Sequence, residues 1–159
     1  MKEFPFFPQQ ESMDCGPTCL LMIASFYGKD CSIQALRAAT NITEEGVSLL
    51  SISEAAESIG FRTSAVKASF EELEQQAVLP LIAHWRQTHF VVVYRICTDH
   101  VHIADPGSGL ARCPKNEFLQ KWAGAAGTTA GDPADEAAGR DAPYGFVLLL
   151  EPSPSFYTH

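Results

Sequence analysis

The chain has 159 residues, 46% of them hydrophobic, enough to bury one core of ordinary size and to form one compact domain without staples. Eleven Lys plus Arg against nineteen Asp plus Glu leave a formal charge of -8, and no basic cluster is present to track a phosphate backbone, which argues against a nucleic-acid partner. The longest apolar runs are strand-sized, far short of the roughly twenty residues that span a bilayer, and the N-terminus lacks an apolar signal core, so the chain reads as cytosolic with no membrane insertion of its own.

In chain order, the first eight residues are rich in Pro and Phe. Pro5 and Pro8 fix φ and disfavour helix before them, so this stretch reads as an extended strap packed on the body. From Cys15 to Tyr27 the apolar residues Leu20, Leu21, Ile23, Ala24 and Phe26 run almost continuously to Gly28, which predicts a buried helix. Ser32 opens a second helix to about Ala39, and Ser48 or the turn before it opens a third that runs to Ile59 and stops at Gly60. Phe61 to Val66 is a short strand, Ser69 caps a Phe-Glu-Glu-Leu-Glu helix, and Pro80 breaks into the apolar stretch Leu81 to His84. His89 to Ile96 and Val101 to Ala104 are rich in Val, Ile and Tyr around a turn at Thr98 to His100, which predicts an antiparallel hairpin ended by Asp105-Pro106-Gly107. A helix over Lys115 to Trp122 precedes Ala125 to Tyr144, a stretch rich in Gly, Ala, Asp and Pro that reads as a mobile surface loop, and Phe146 to Leu150 returns as a strand.

Five cysteines without a secretory signal argue against a disulfide framework and for a thiol kept for chemistry. Cys15 sits where the strap ends and the buried helix begins. Unpaired amides and the positive end of the helix dipole stabilise a thiolate there, which makes a nucleophile at neutral pH. Asp14 is placed to cap the helix, Gly16 lets a substrate backbone approach, and Pro17 needs no N–H partner in the first turn.

Most lone cysteines at the head of a core helix only pack, so the chemistry rests on companions. His89 begins the most apolar strand, and Asp105 ends the next strand of the hairpin, so antiparallel pairing carries the acid back towards the imidazole it would orient. Gln9 lies on the strap where its amide can donate to an oxyanion beside the Cys15 N–H; Gln10 competes, and spacing does not choose between them. His84, His100, His102, Cys97 and Cys113 invite comparison with a zinc cluster, but the histidines of a hairpin face solvent more often than metal, and no metal or other cofactor is expected. Cys19, one turn after Cys15, reads as core, while Trp85 and Trp122 suit either core or a cleft wall.

The segment beginning at Gln9, QQESMDCGPTCLLMIASFYG, together with HFVVVY from His89 and HIADPGSG from His102, resembles the peptidase domain of bacterial peptidase-containing ABC transporters, the bacteriocin-processing, double-glycine leader peptidases. The likeness covers about Phe4 to Trp122 and resumes over Phe146 to Tyr157. It implies a papain-like α+β fold, with an N-terminal helical half carrying the Cys packed on a C-terminal antiparallel sheet carrying the His and Asp. It also implies Cys15 as nucleophile, His89 as base, Asp105 as orienting acid and Gln9 rather than Gln10 at the oxyanion. The substrate so implied is a precursor peptide with an amphipathic leader helix, cut after Gly-Gly, Gly-Ala or Gly-Ser. A narrow cleft can reject a β-carbon sterically, and the leader would lie in an apolar groove for which the third helix and the hairpin are candidates.

The further partners implied are the membrane and nucleotide-binding domains of the transporter, which would hold this domain at the cytoplasmic face of the bacterial inner membrane. The chain ends at His159 before any membrane helix or Walker loop and so reads as a single domain excised from a longer one; the Ala125 to Tyr144 stretch is longer than the resemblance leads one to expect. Two rival readings are a non-catalytic domain that only binds and tethers export substrate, whose signature would be a lost nucleophile, and a cysteine acyltransferase on the same scaffold.

Overall fold

The structure, a computed structural model, describes residues 4–8, 14–40, 48–76, 78–85, 89–125 and 144–157. Three helices come first: α1 (Cys15–Phe26), α2 (Ile33–Ala39) and α3 (Leu49–Ser58). The starts of α2 and α3 follow from side-chain caps. Ser32 Oγ accepts from the Ala35 N–H at 3.0 Å, and Ser48 and Ser51 exchange side-chain and backbone bonds, each satisfying an amide the first turn leaves unpaired. Gly28 and Gly60 follow α1 and α3 at φ +92° and +107°, the left-handed backbone that ends a helix without a Cβ penalty.

The remaining elements are β1 (Phe61–Ser69), α4 (Phe70–Gln76), β2 (Leu81–Trp85), β3 (His89–Ile96), β4 (His100–Asp105), β5 (Gly109–Pro114), α5 (Lys115–Ala125) and β6 (Tyr144–Pro152), followed by a 3-10 turn over Pro154–Tyr157. β1 runs three residues beyond the predicted Val66 because β6 pairs along its whole length, from Phe61 opposite Pro152 to Ser69 opposite Tyr144. Ser69 still caps α4, accepting from the Glu72 N–H while the Glu72 carboxylate accepts from the Ser69 N–H. β5 was not foreseen. Its Gly-Leu-Ala-Arg-Cys-Pro sequence carries no β-branched residue, and only its pairing with β4 makes it a strand. Ala125 ends α5 and Tyr144 begins β6, and the stretch predicted to be mobile between them lies outside the described residues.

All six strands form one antiparallel sheet in the order β1-β6-β2-β3-β4-β5. Alternation along the strands gives it two apolar faces. Phe90, Val92, Ala104 and Leu148 meet Leu20, Ile23 and Leu36 of α1 and α2 and Ile52 of α3, while Val91, Val93, Ile103 and Val147 meet Phe70 and Leu73 of α4 and Phe118 and Trp122 of α5. The fold is thus α+β, but helices cover both faces of the sheet, which is more than the expected packing of a helical half on a sheet half. Trp85 and Trp122 belong to the second core; the Trp122 indole donates to the Phe146 carbonyl at 3.0 Å, and a Cβ on Gly145 would lie 2.5 Å from its ring. The strap over residues 4–8 does pack on the body, with Phe4 stacked 4.7 Å from Tyr94 and 5.6 Å from Phe26.

The 3-10 turn is fastened to the opposite end of the chain. Lys29 Nζ donates to the carbonyls of Ile59 and Phe156, both at 2.9 Å, and lies 4.8 Å from the Phe156 ring centroid. Gly60 makes this docking possible, because a Cβ there would stand 2.3 Å from the Phe156 Cα.

Candidate active site

Cys15 is the first residue of α1 and is 5% exposed, with α1 packed across β3. The helix begins in earnest at the Thr18 N–H, which donates to the Asp14 carbonyl at 2.8 Å, so the amides of Cys15 and Gly16 are left without intrahelical acceptors and Pro17 has none to lose. Asp14 corrects the sequence reading: its carboxylate makes no capping bond. Arg37 of α2 takes it in a bidentate pair, Nε to Oδ1 at 2.9 Å and Nη2 to Oδ2 at 2.6 Å, with Asp14 buried. The residue before Cys15 is thereby tied to a second helix. Arg37→Ala should leave a buried carboxylate without its cation and lower unfolding stability by about 3 kcal/mol, measurable by urea denaturation, whereas Arg37→Lys should recover only part of it.

His89 opens β3 and Asp105 closes β4. Pairing of Val92 with Ala104 sets the register that brings these two strand ends together, and His89 Nε2 lies 2.7 Å from Asp105 Oδ1. The Gly107 N–H donates to the same oxygen at 2.8 Å, a turn-forming bond that aims the carboxylate. Sequence reading took Asp105 as the orienting acid but Pro106-Gly107 only as a strand stop; the Asp-x-Gly spacing was the available signal for Gly107.

His89 is raised from 6.5 to about 9, first by its hydrogen bond to Asp105 and then by one to Cys15, which together outweigh partial burial. Burial by itself would raise the Asp105 carboxyl, but bonds from His89, the Gly107 N–H and the Ser108 side chain overcome it and hold the group below 3.8. Since Asp105 occupies Nε2, the nitrogen left for the Cys15 sulfur is Nδ1. Three side chains from α1, β3 and β4 therefore converge as an acid, an imidazole and a thiol, an arrangement able to pass a proton from sulfur and to hold the resulting cation.

The other thiols differ in kind. All five cysteines are free. Cys19 is fully buried and donates to the Phe90 carbonyl at 3.4 Å, and burial, followed by the charges of Cys15 and Asp105, pushes its thiol well above its ordinary range. It is core, as its position one turn after Cys15 suggested. Cys113 is raised to about 11 by burial and by the Glu117 carboxylate. Gln9 and Gln10 lie outside the described residues. Of the five residues weighed as a zinc cluster, His84 lies against Phe90 and Cys113 against Glu117, while Cys97, His100 and His102 come together at the hairpin turn.

A family model described as Peptidase C39 family matches residues 3–133. The chain is 38% identical over 121 residues to the lactococcin-G-processing and transport ATP-binding protein LagD of Lactococcus lactis subsp. lactis, a match covering 73% of this chain and 17% of that protein. It is 33% identical over 159 residues to the transport/processing ATP-binding protein ComA of Streptococcus pneumoniae, covering 96% of this chain and 19% of that one. The chain thus spans less than a fifth of the length of either relative. Among solved structures, the peptidase domain of Streptococcus ComA, a bifunctional ABC transporter, superposes with a TM-score of 0.76 at 26% identity, covering 95% of this chain and all of that one. A double glycine motif protease from an AMS/PCAT transporter, solved with its leader peptide, superposes with a TM-score of 0.75 at 23% identity, covering 95% and 93%.

Proposed function

This chain belongs to the Peptidase C39 family, and from that membership we propose that it is a cysteine endopeptidase that removes the leader of a precursor peptide after a Gly-Gly or Gly-Ala pair, as part of an ABC transporter that exports the remainder. The observation that carries the reading is His89, held by Asp105 at Nε2 at 2.7 Å and raised to about 9 by its hydrogen bonds to Asp105 and Cys15.

In the proposed mechanism His89 Nδ1 takes the Cys15 proton, and the thiolate attacks the carbonyl carbon after the small-residue pair. The carbonyl π electrons move to oxygen, where the Cys15 N–H at the start of α1 and the Gln9 amide stabilise the charge. Collapse of this intermediate expels the amine, which takes the proton from Nδ1, and leaves a thioester. Water then gives a proton to Nδ1 and attacks the thioester, releasing the leader acid and the thiol. Asp105 stays ionised throughout, holding the ring in orientation and offsetting its charge.

The leader is bound by apolar contact. Leu50 on α3, 68% exposed, supports the third helix as part of that surface. Among the described residues no helix is long and apolar enough to cross a membrane, and the proposed transporter would supply the span from its other domains.

The test is product analysis. A synthetic precursor whose leader ends in Gly-Gly, incubated with the domain, should give two fragments split after the second glycine by mass spectrometry, and a Val-Val variant should stay whole. Binding of the leader with no cleavage would instead make this a tethering domain, and cleavage surviving complete thiol alkylation would remove Cys15 from the mechanism.

A further inference from the structure

We propose that the turn of the β3–β4 hairpin binds a divalent transition metal of the zinc type through Cys97, His100 and His102. Cys97 follows the last residue of β3, His100 opens β4, and His102 shares its face by the two-residue period of a strand. The Cys97 N–H donates to the His100 carbonyl at 2.9 Å and closes the turn, and the two imidazole rings stand 5.1 Å apart, centroid to centroid. One ligand atom from each of the three residues lies within 4.8 Å of the other two. Zinc bonds of about 2.0 to 2.3 Å ask for ligand atoms some 3.3 to 3.7 Å apart in a tetrahedron, so the three side chains have to close by about an ångström on the ion. A thiolate with two imidazoles selects zinc-like ions over magnesium or calcium, which prefer oxygen.

The surroundings fit the same ion. Asp99 Oδ1 lies 2.6 Å from His100 Nδ1, the carboxylate–imidazole contact that fixes the proton on Nδ1 and turns the lone pair of Nε2 to a metal. Arg112 Nη2 also approaches Nδ1, at 3.3 Å, but a protonated Nδ1 cannot accept from it, so the guanidinium is left to answer the Asp99 charge. A cavity of about 260 Å³ lined by Asp99, His100, Arg112 and Pro114 gives it room to do so. Binding transfers the Cys97 thiol proton to solvent as the sulfur–metal bond forms. The three ligands share no residue with the Cys15 site. They close the end of the hairpin opposite to His89 and Asp105, so the ion acts as a clip on the two strands that carry the base and its acid.

The test is titration of Co2+, then displacement by Zn2+, in the 159-residue chain carrying Cys15→Ala, so that the other thiol–imidazole pair cannot contribute. One equivalent of Co2+ should give a thiolate charge-transfer band and the visible bands of a tetrahedral ion. Cys97→Ser should remove the charge-transfer band and weaken binding at least about 100-fold, Asp99→Asn should weaken it about 10- to 100-fold, and Cys113→Ser should change nothing. His102→Gln, a substitution at a half-buried position near the hairpin turn, should convert the tetrahedral spectrum to an octahedral one. An octahedral spectrum in the parent, or a thiolate band that persists in Cys97→Ser, overturns the proposal.

Discussion

A chain carrying Cys15→Ala should leave a Gly-Gly precursor uncut, its rate lower by about 10⁵-fold or more, while leader binding followed by fluorescence anisotropy stays within about twofold of the parent. The size of the effect follows from the absence of a substitute. Cys19 is the nearest other thiol in sequence, but it is sealed in the core with its proton committed to the Phe90 carbonyl, and burial keeps it protonated. The methyl group of Ala fits the first turn of α1, so the fold survives and the loss is chemical. Cleavage at the parental rate in this variant would move the nucleophile elsewhere.

Asp105→Ala should lower kcat about 10²- to 10⁴-fold and move the alkaline limb of the pH–rate profile, with KM little changed. The hydrogen bond that His89 donates to Asp105 is the largest reason that His89 is raised to about 9, so in the parent the imidazolium that protonates the leaving amine persists until the pH passes that value. Without the carboxylate the limb should fall back towards 6.5. The same shift has a stability sign. His89 binds its proton more tightly folded than unfolded, so its contribution is complete below pH 6.5 and fades as the pH rises through about 9. Asp105, held below 3.8, contributes above that value and loses its share as the pH falls through its folded value. Urea unfolding at pH 6 and pH 10 should therefore differ more for the parent than for Asp105→Ala, and equal differences would contradict the coupling.

Much of this arrangement is visible in the chain itself. Ser32, Ser48 and Ser69 marked helix starts because a hydroxyl one residue ahead of a helix has one obvious use, and the two ends of the β3–β4 hairpin carried His89 and Asp105 together as soon as the strands were assigned. Asp14 misled because an acid before a helix suits capping equally well, and only the tertiary position of Arg37, 23 residues on, decides where the carboxylate turns. β5 was missed because its strand character comes from a neighbour rather than from its own residues, and the two-sided covering of the sheet could not be read because nothing local says which face a helix will choose. The meeting of Cys97 with His100 and His102 was legible in spacing but discounted, since a hairpin with two histidines is common and the cysteine counts only once the turn is closed.

Among the described residues β6 is the last strand and the bridge between β1 and β2. During synthesis the meander from β2 to β5 can assemble from neighbours in sequence, but β1 must wait for residues 144–152 to leave the ribosome before it has anything to bond. Until then a nascent chain carries two naked strands, one on either side of a vacant slot, each able to recruit a foreign peptide in place of its own. Chaperone demand should therefore be greatest in the interval before that final strand slides home.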